Sequence, residues 1–224
     1  MSPAATTAGA RRPARDSAPG LRLLALDVDG TLTDGAILIG PQGEAMKAFS
    51  VRDGFGLALL RGAGLQIAII TGRHSAIVER RAAELGIVHV RQSVSDKAQA
   101  LRELCAELGI GTAQAAFMGD DWPDLPAMRL AGLALAPADA DPEVRERADW
   151  VASRPGGHGA VREFADWWLA RCGLRDAQLQ RWLDQADSPG ALAPAPGGDA
   201  AHASGPASHG GAASGDGRPA GTPG

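Results

Sequence analysis

Hydrophobic and polar positions along residues 21–187 follow a pattern that predicts an open α/β sheet. Short apolar runs that end at turn or polar residues are typical of buried parallel strands. They predict strands at Leu21–Leu26, Gln66–Ile70, Val88–Val90, Ala115–Met118, Leu133–Leu135 and Trp150–Val151. The stretches between them predict helices at Gly54–Arg61, Ser75–Leu85, Lys97–Leu108, Pro123–Leu130, Pro142–Arg147 and Ala160–Ala170. Alternation of this kind indicates a Rossmann-like, mostly parallel sheet with helices on both faces.

A short insert follows the first predicted strand. Ala36–Ile39 is apolar, Gly40–Gly43 has the composition of a tight turn, and Glu44–Phe49 follows it. This pattern predicts a β-hairpin over about residues 35–50. Since no later stretch is suited to form a lid, we expect no cap domain. A neighbouring subunit would then have to cover a specific substrate.

Both ends of the chain differ in composition from this central block. Residues 1–20 are rich in Ala, Thr, Arg and Pro and hold no apolar run of the kind that a secretory signal needs. Residues 188–224 are mostly Gly, Ala, Pro, Ser and His, which bury too little apolar surface to offset the entropy of ordering. We therefore expect a disordered arm at 1–20, one folded domain at 21–187 and a disordered tail at 188–224.

Composition narrows the class of protein further. The formal net charge of -4 argues against general nucleic-acid binding. No apolar run approaches the ~20 residues of a membrane-spanning helix. The two cysteines, Cys105 and Cys172, lack metal-ligand spacing and do not require an oxidising compartment. We expect a cytoplasmic protein that binds neither nucleic acid nor membranes.

Polar groups stand where three predicted strands end and where one predicted helix begins. Asp27 and Asp29 close the first strand, and Thr71-Gly72-Arg73 close the second. An acidic turn, Gly119-Asp120-Asp121 followed by Asp124, closes the fourth, while Lys97 begins a helix. Unpaired carboxylates at a buried strand end are costly unless a positive group lies between them. Ligands of open α/β sheets bind at the carboxyl ends of strands, so we expect a cation or phosphate site there. Taken singly, the aspartate motifs also fit a turn or a helix N-cap.

These four motifs, in this order, resemble those of the haloacid dehalogenase-like phosphatase superfamily. The resemblance implies that Asp27 attacks phosphorus and that Asp29 protonates the leaving oxygen and then activates water. It implies Mg²⁺ held by the Asp27 carboxylate, the Asp29 main-chain carbonyl and Asp120. Thr71 would hydrogen-bond a phosphate oxygen, and Lys97 would neutralise charge on the transferring group. The residue types suit these roles, because carboxylates serve as nucleophiles, acids and hard oxygen ligands.

Two further segments resemble one particular family within this superfamily. Lys47–Gly54 and Gly156–Glu163 are similar to the 3-deoxy-D-manno-octulosonate 8-phosphate phosphatase family, capless enzymes of lipopolysaccharide precursor synthesis. The resemblance implies hydrolysis of an 8-phosphorylated eight-carbon sugar acid. It also implies a homotetramer in which hairpins and the glycine-rich segment of one subunit help close the site of another. The implied substrate-binding residues are Asp29, Ser50, Val51, Arg52, Asp53, Gly54, Gly72, Arg73, Arg81 and Lys97.

Structural roles compete at some of these positions. Arg52 and Asp53 also fit a surface pair beside a helix start, with Asp53 as the N-cap. Arg81 lies among charged helix neighbours, where solvated ion pairs are common. The family commonly has asparagine at the position of Ser50 and frequently arginine at that of His158. These departures bear on substrate selectivity and not on phosphoryl transfer.

Two other functions stay open at this point. One is a phosphatase for a related nine-carbon sugar acid phosphate. The other is a non-catalytic member that serves as a binding or regulatory subunit. Intact Asp27 and Asp29 disfavour the second, because a binding module has no need of a nucleophile with an adjacent acid.

Overall fold

The predicted parallel sheet is present and forms the centre of the molecule. The computed structural model describes residues 20–186, so the expected arm, apart from Gly20, and the expected tail at 188–224 lie outside the described residues. The elements in chain order are β1 Leu23–Leu26, β2 Leu38–Gly40, β3 Gly43–Met46, α1 Val51–Gly62, β4 Gln66–Ile70, α2 Ala76–Glu84, β5 His89–Arg91, α3 Lys97–Glu107, β6 Ala115–Met118, α4 Leu125–Leu130, β7 Leu133–Ala136, α5 Pro142–Arg147, β8 Trp150–Val151, α6 Ala160–Arg171 and α7 Arg175–Ala186.

The main sheet has the strand order β5-β4-β1-β6-β7-β8. All neighbouring strands in it are parallel, with Leu24 of β1 opposite Ile67 of β4 and Ala116 of β6. Along the chain, β1 is followed by β4 and β5 on one side of the sheet. The chain then returns to place β6, β7 and β8 on the other side of β1. The carboxyl ends of β1 and β6 therefore flank the point where the strand order reverses, which is where open α/β sheets bind ligands.

Alternation along β1 divides the core between the two faces of the sheet. Leu24 and Leu26 pack in a cluster that includes Phe164 and Trp168 of α6. Leu23 and Ala25 pack on the opposite face in the cluster that contains residues of α3, α4 and α5. All four β1 side chains are fully buried. Burial on both faces explains why the strand is apolar throughout and why its first polar residues come at its end.

The predicted hairpin is confirmed, with β2 and β3 forming a separate antiparallel sheet. It lies within the expected range of 35–50. Its apolar side chains are largely exposed in the single chain, which distinguishes it from the main sheet. The exposed apolar residues of this segment are Ile37, Leu38, Ile39 and Met46.

Helix α1 begins at Val51, three residues earlier than predicted. Ser50 is its N-cap, and the Ser50 hydroxyl accepts a hydrogen bond from the Asp53 amide at 3.2 Å. A serine at this position satisfies one of the amides that the first helical turn leaves without a partner. The proposal that Asp53 caps its own helix is therefore wrong, since Asp53 lies one turn inside it.

Helix α7 was not predicted, because its apolar residues are few and its surface is mostly polar. It docks on the end of α1 through specific contacts. Arg181 donates to the Gly62 carbonyl at 2.9 Å, and the Trp182 ring meets Phe55 edge-on at 4.9 Å. Within residues 20–186, no helix combines the length and the apolar character needed to cross a bilayer.

Asp53 joins α1 to the start of α6, and these two helices pack against each other. Its carboxylate oxygens accept hydrogen bonds from the amides of Gly159 at 3.1 Å and Arg162 at 2.8 Å. Burial raises the pKa of the Asp53 carboxyl, while the bonds from these amides act in the opposite direction. Asp53 is thus the cap of a helix that begins more than 100 residues later in the chain.

Replacing Asp53 with asparagine should destabilise the fold. The amide nitrogen of the new side chain would face a main-chain N–H, which leaves a buried donor without an acceptor. We expect the free energy of unfolding to fall by about 1–3 kcal/mol, measured by urea denaturation. The matched control is Asp166→Asn on α6, which removes a partly exposed ion pair with Arg162 and should cost less than ~1 kcal/mol. Equal losses for the two variants would contradict the capping role.

Candidate active site

The polar ends of β1, β4 and β6 meet at one edge of the main sheet. Asp27 follows β1 directly, and its amide donates to the Met118 carbonyl of β6 at 3.0 Å. Thr71 follows β4 and is buried. Since the strands are parallel neighbours, three motifs that are far apart in the sequence come together here.

A buried lysine lies between two carboxylates. The ammonium of Lys97 donates to Asp27 at 2.7 Å and to Asp124 at 2.6 Å. Burial acts to lower the pKa of Lys97, but the charges of Asp27 and Asp124 outweigh it and raise the pKa. Asp96 caps α3 by accepting from the Gln99 amide, and this fixes the helix start from which Lys97 projects. Lys97 is therefore a permanent cation beside Asp27.

Asp120 is held over the loop that follows β1. Its carboxylate accepts from the Thr31 hydroxyl at 3.0 Å. A Cβ at Gly30 would lie 2.0 Å from an Asp120 oxygen, and Gly30 has a φ of +91°. Only glycine lets the loop adopt this conformation and leave room for the carboxylate.

Asp124 is the last residue of the fourth motif, and its individual role becomes visible only in the structure. One of its oxygens accepts from Lys97, and the other accepts from the Asp120 amide at 3.0 Å and the Asp121 amide at 3.3 Å. It therefore fixes both the lysine and the turn that carries Asp120.

Three carboxylates in this cluster repel one another. One oxygen each of Asp27, Asp120 and Asp124 lies within 4.8 Å of the others. Burial, together with the charge of Asp124, raises the pKa of Asp27 to about 6. Burial and the charges of Asp27 and Asp124 raise the pKa of Asp120 to about 7. Clustered oxygen ligands of this kind fit a divalent cation such as Mg²⁺, which would relieve the repulsion.

The predicted Mg²⁺ ligands agree in part with this cluster. The carboxylates of Asp27 and Asp120 belong to it, whereas the Asp29 carbonyl stays a prediction. Asp124 is close enough to contribute an oxygen, but both of its oxygens already accept hydrogen bonds. We infer that Asp124 acts mainly by holding its neighbours.

The Asp29 side chain belongs to a second cluster, formed with the hairpin. The Lys47 ammonium of the hairpin makes an ion pair with Asp29 and another with Glu44 at 2.8 Å. Arg73, which follows β4, lies 3.6 Å from Asp29 and 3.9 Å from Glu44. Glu44 and Lys47 carry no signal of a site role in the sequence, because only the folding of the hairpin brings them to Asp29.

Three of the predicted substrate-binding residues have structural roles in this chain. Ser50 caps α1, and Asp53 is buried with both oxygens accepting main-chain hydrogen bonds. These bonds give Asp53 a structural role, and direct binding of a sugar by Asp53 stays a prediction. Gly54 makes room for Arg81, because a Cβ there would lie 2.5 Å from the Arg81 guanidinium.

The other predicted substrate-binding residues are more accessible. Val51 and Arg52 are exposed at the start of α1, and Arg52 lines a cleft of about 330 Å³ with Arg154 and Arg162. Gly72 and Arg73 are exposed at the end of β4. Arg81 is half-buried against Phe49, with its Cζ 5.8 Å from the ring centroid and its Nε buried without a hydrogen-bond partner.

The glycine-rich segment before α6 packs on its own chain. The Gly157 amide donates to the Thr31 carbonyl at 3.0 Å. A Cβ at Gly156 would lie 1.8 Å from the Gly30 carbonyl oxygen. These two glycines therefore support the loop after β1 of their own chain, and the expectation that the glycine-rich segment reaches toward a neighbouring site stays a prediction.

The chain is similar, in both sequence and structure, to haloacid dehalogenase-like hydrolases. A family model described as haloacid dehalogenase-like hydrolase matches residues 50–132. The 3-deoxy-D-manno-octulosonate 8-phosphate phosphatase of Salmonella typhi is 47% identical over 159 residues, which cover 71% of this chain and 85% of that protein. The crystal structure of the phosphatase of the same name from Yersinia pestis has a TM-score of 0.71 and 44% identity, covering 73% of this chain and 89% of the other.

A third relative carries ligands. The crystal structure of the phosphatase of the same name from Moraxella catarrhalis, in complex with a magnesium ion, a phosphate ion and a KDO molecule, has a TM-score of 0.73. It is 42% identical and covers 75% of this chain and 97% of that one.

The carboxylate cluster predicts how the stability of the metal-free protein depends on pH. The raised pKa values of Asp27 and Asp120 mean that the folded state retains protons which the unfolded chain releases above about pH 4. The free energy of unfolding should therefore fall as pH rises from about 4 to 7. In excess chelator, we expect a higher melting temperature at pH 5 than at pH 8.

Adding Mg²⁺ should raise the melting temperature more at pH 8 than at pH 5, because the cation competes with protons for the same oxygens. Asp120→Asn is the matched variant, since it keeps the shape and removes one charge. It should be more stable than the wild type in chelator at pH 8 and respond less to Mg²⁺. A wild-type melting temperature that Mg²⁺ leaves unchanged at pH 8 would contradict the assignment of a cation site.

Proposed function

The chain belongs to the 3-deoxy-D-manno-octulosonate 8-phosphate phosphatase family of haloacid dehalogenase-like hydrolases, and we propose that it hydrolyses this sugar phosphate through an aspartyl-phosphate intermediate. It is a phosphoric monoester hydrolase. The observation that carries the mechanistic proposal is the position of Asp27, a buried carboxylate at the end of β1 that is paired with Lys97 and flanked by Asp120.

In the first step, an oxygen of Asp27 attacks phosphorus. The Asp27–phosphorus bond forms, the bond from phosphorus to the sugar oxygen breaks, and a proton from Asp29 goes to that oxygen. Lys97 remains charged and offsets the negative charge of the transferring group. The buried Thr71 hydroxyl is suited to donate to a phosphate oxygen.

In the second step, water attacks the phosphorus of the intermediate. Asp29 takes a proton from that water, the bond to Asp27 breaks, and phosphate leaves. Asp27 returns to its carboxylate form and Asp29 to its protonated form, so the cycle is balanced. Splitting hydrolysis in this way replaces one slow displacement by two that the same residues assist.

We propose Mg²⁺ as the cofactor, held by the carboxylates of Asp27 and Asp120 and the Asp29 carbonyl. When bound, it supplies Lewis-acid polarisation of the phosphoryl group and cancels repulsion between carboxylate and substrate. Support comes from the clustered oxygens of this chain and from the magnesium ion in the Moraxella catarrhalis relative.

Recognition of the sugar acid is proposed for the cations around the site. Arg73 stands beside Asp29, and Arg81 presents a partly buried guanidinium. Arg52 lines a different cleft of the same chain, so its proposed contact with substrate requires the site of a neighbouring copy. We propose that the enzyme is cytoplasmic and supplies a lipopolysaccharide precursor.

The assembly proposed is a homotetramer. Its support in this structure is the hairpin, whose apolar residues Ile37, Leu38, Ile39 and Met46 are exposed in the single chain. Burying such residues against other copies would remove apolar surface from water and stabilise an oligomer.

Asp27→Asn should abolish turnover without unfolding the protein, because the amide is nearly isosteric and a poor nucleophile. A phosphate-release assay with 3-deoxy-D-manno-octulosonate 8-phosphate and Mg²⁺ should show less than about one per cent of wild-type kcat. Excess chelator should abolish phosphate release by the wild-type protein in the same assay. Higher residual activity in a folded variant would point to another nucleophile, and a strong preference for a nine-carbon sugar acid phosphate would redirect the substrate assignment.

Light scattering should report four chains per particle for the wild type. Ile39→Asp should give smaller particles, because Ile39 is 78% exposed in the single chain and the charge would oppose burial. Val88→Asp is the control, since Val88 is similarly exposed and lies outside the hairpin. A monomeric wild type that still discriminates its substrate would refute the shared-site proposal.

A further inference from the structure

Lys47, at the end of the hairpin, is a residue that contacts Asp29. Its side chain is only 1% exposed, although the hairpin strands around it face solvent. The ammonium is paired with Asp29 and with Glu44. A lysine that is buried in this way needs such partners, because an isolated charge would be expensive to remove from water.

Glu44 fixes Lys47 to the body of the domain. Its carboxylate accepts a hydrogen bond from the hydroxyl of Ser75, the N-cap residue of α2. Burial acts to raise the pKa of Glu44, but the hydrogen bonds from Lys47 and Ser75 outweigh it and lower the pKa. The contacts therefore run without a break from Ser75 through Glu44 and Lys47 to Asp29.

Asp29 has few other contacts to fix its orientation. It precedes Gly30, a residue with positive φ, and its side chain is 18% exposed. Arg73 is its second cationic partner, at 3.6 Å, and the Arg73 side chain is 49% exposed. A buried ammonium in direct contact restricts a carboxylate more than a half-exposed guanidinium at longer range does.

We propose that Lys47 is a positioning residue, which holds the carboxyl group of Asp29 in the orientation that proton transfer to the leaving oxygen requires. The inference rests on the proposed function, in which Asp29 is the acid. Lys47 contacts no reacting atom in this role and acts through Asp29 alone. A neutral side chain at position 47 would leave Asp29 free to turn toward solvent.

If Lys47 acts by positioning Asp29, the loss of activity that follows its replacement should depend on the leaving group of the substrate. A sugar alkoxide is a poor leaving group and needs a proton as the bond breaks, whereas p-nitrophenolate does not. The parameter to compare is kcat/KM, which reports the transfer of phosphate to Asp27 and not the later hydrolysis of the intermediate. Lys47→Met should lower kcat/KM about 10- to 100-fold for the sugar phosphate and less than about threefold for p-nitrophenyl phosphate.

The double variant tests whether Lys47 acts through Asp29. Once Asp29→Asn has removed the acid, adding Lys47→Met should cause almost no further loss with the sugar phosphate. Lys47→Arg should recover most of the activity, because it keeps a cation in the same place. Arg147→Met is the control for loss of an ion-paired cation, since Arg147 pairs with Glu143 on α5 and should leave both substrates unaffected.

Melting temperature and light scattering should show that each variant is folded and assembled like the wild type. Equal loss of kcat/KM with both substrates would overturn the inference, since it would indicate phosphate binding or a structural role. Unchanged activity of a folded Lys47→Met protein would overturn it as well. Full activity of Asp29→Asn would instead refute the assignment of Asp29 as the acid, which is a separate failure of the proposed function.

Discussion

The ion pairs of Lys97 are the interaction on which the rest of the site depends. Three carboxylates lie within a few ångströms of each other at the end of a buried strand, and their mutual repulsion opposes folding. One buried ammonium, donating to Asp27 and Asp124, offsets part of that repulsion. The remaining negative charge is what suits the cluster to a divalent cation. The same lysine thus helps stabilise the metal-free fold, but it does not neutralise all the negative charge of the three carboxylates.

Support for this arrangement comes from contacts that are distant in the sequence. Gly156 and Gly157 pack against the loop after β1. The helix that follows them is capped by Asp53 of α1. The hairpin contributes the second set of contacts, through Glu44 and Lys47. The loop between Asp27 and Asp34 is therefore held from two sides by separate parts of the chain. These contacts preorganise the site residues of one chain.

The sequence was sufficient to predict the strands, the hairpin and the four polar motifs, because strand burial and turn composition are local properties. Its failures have a common physical cause. The sequence fits Asp53 as the cap of its own helix, but its carboxylate accepts from the amides of Gly159 and Arg162, over 100 residues away. Lys47 carried no local signal of its pairing with Asp29. Helix α7 depends on docking against α1 more than on an apolar stripe of its own.

The close approach of Gly156 to Gly30 limits how this enzyme can change during evolution. Any side chain at position 156 would place a carbon inside the volume of a main-chain carbonyl, and no rotamer can relieve an overlap that begins at Cβ. The position is closed to substitution although its side chain, a single hydrogen, has no chemistry to offer a substrate. In a mutagenesis library, any side chain at position 156 would force the loop after β1 to move away from Gly156.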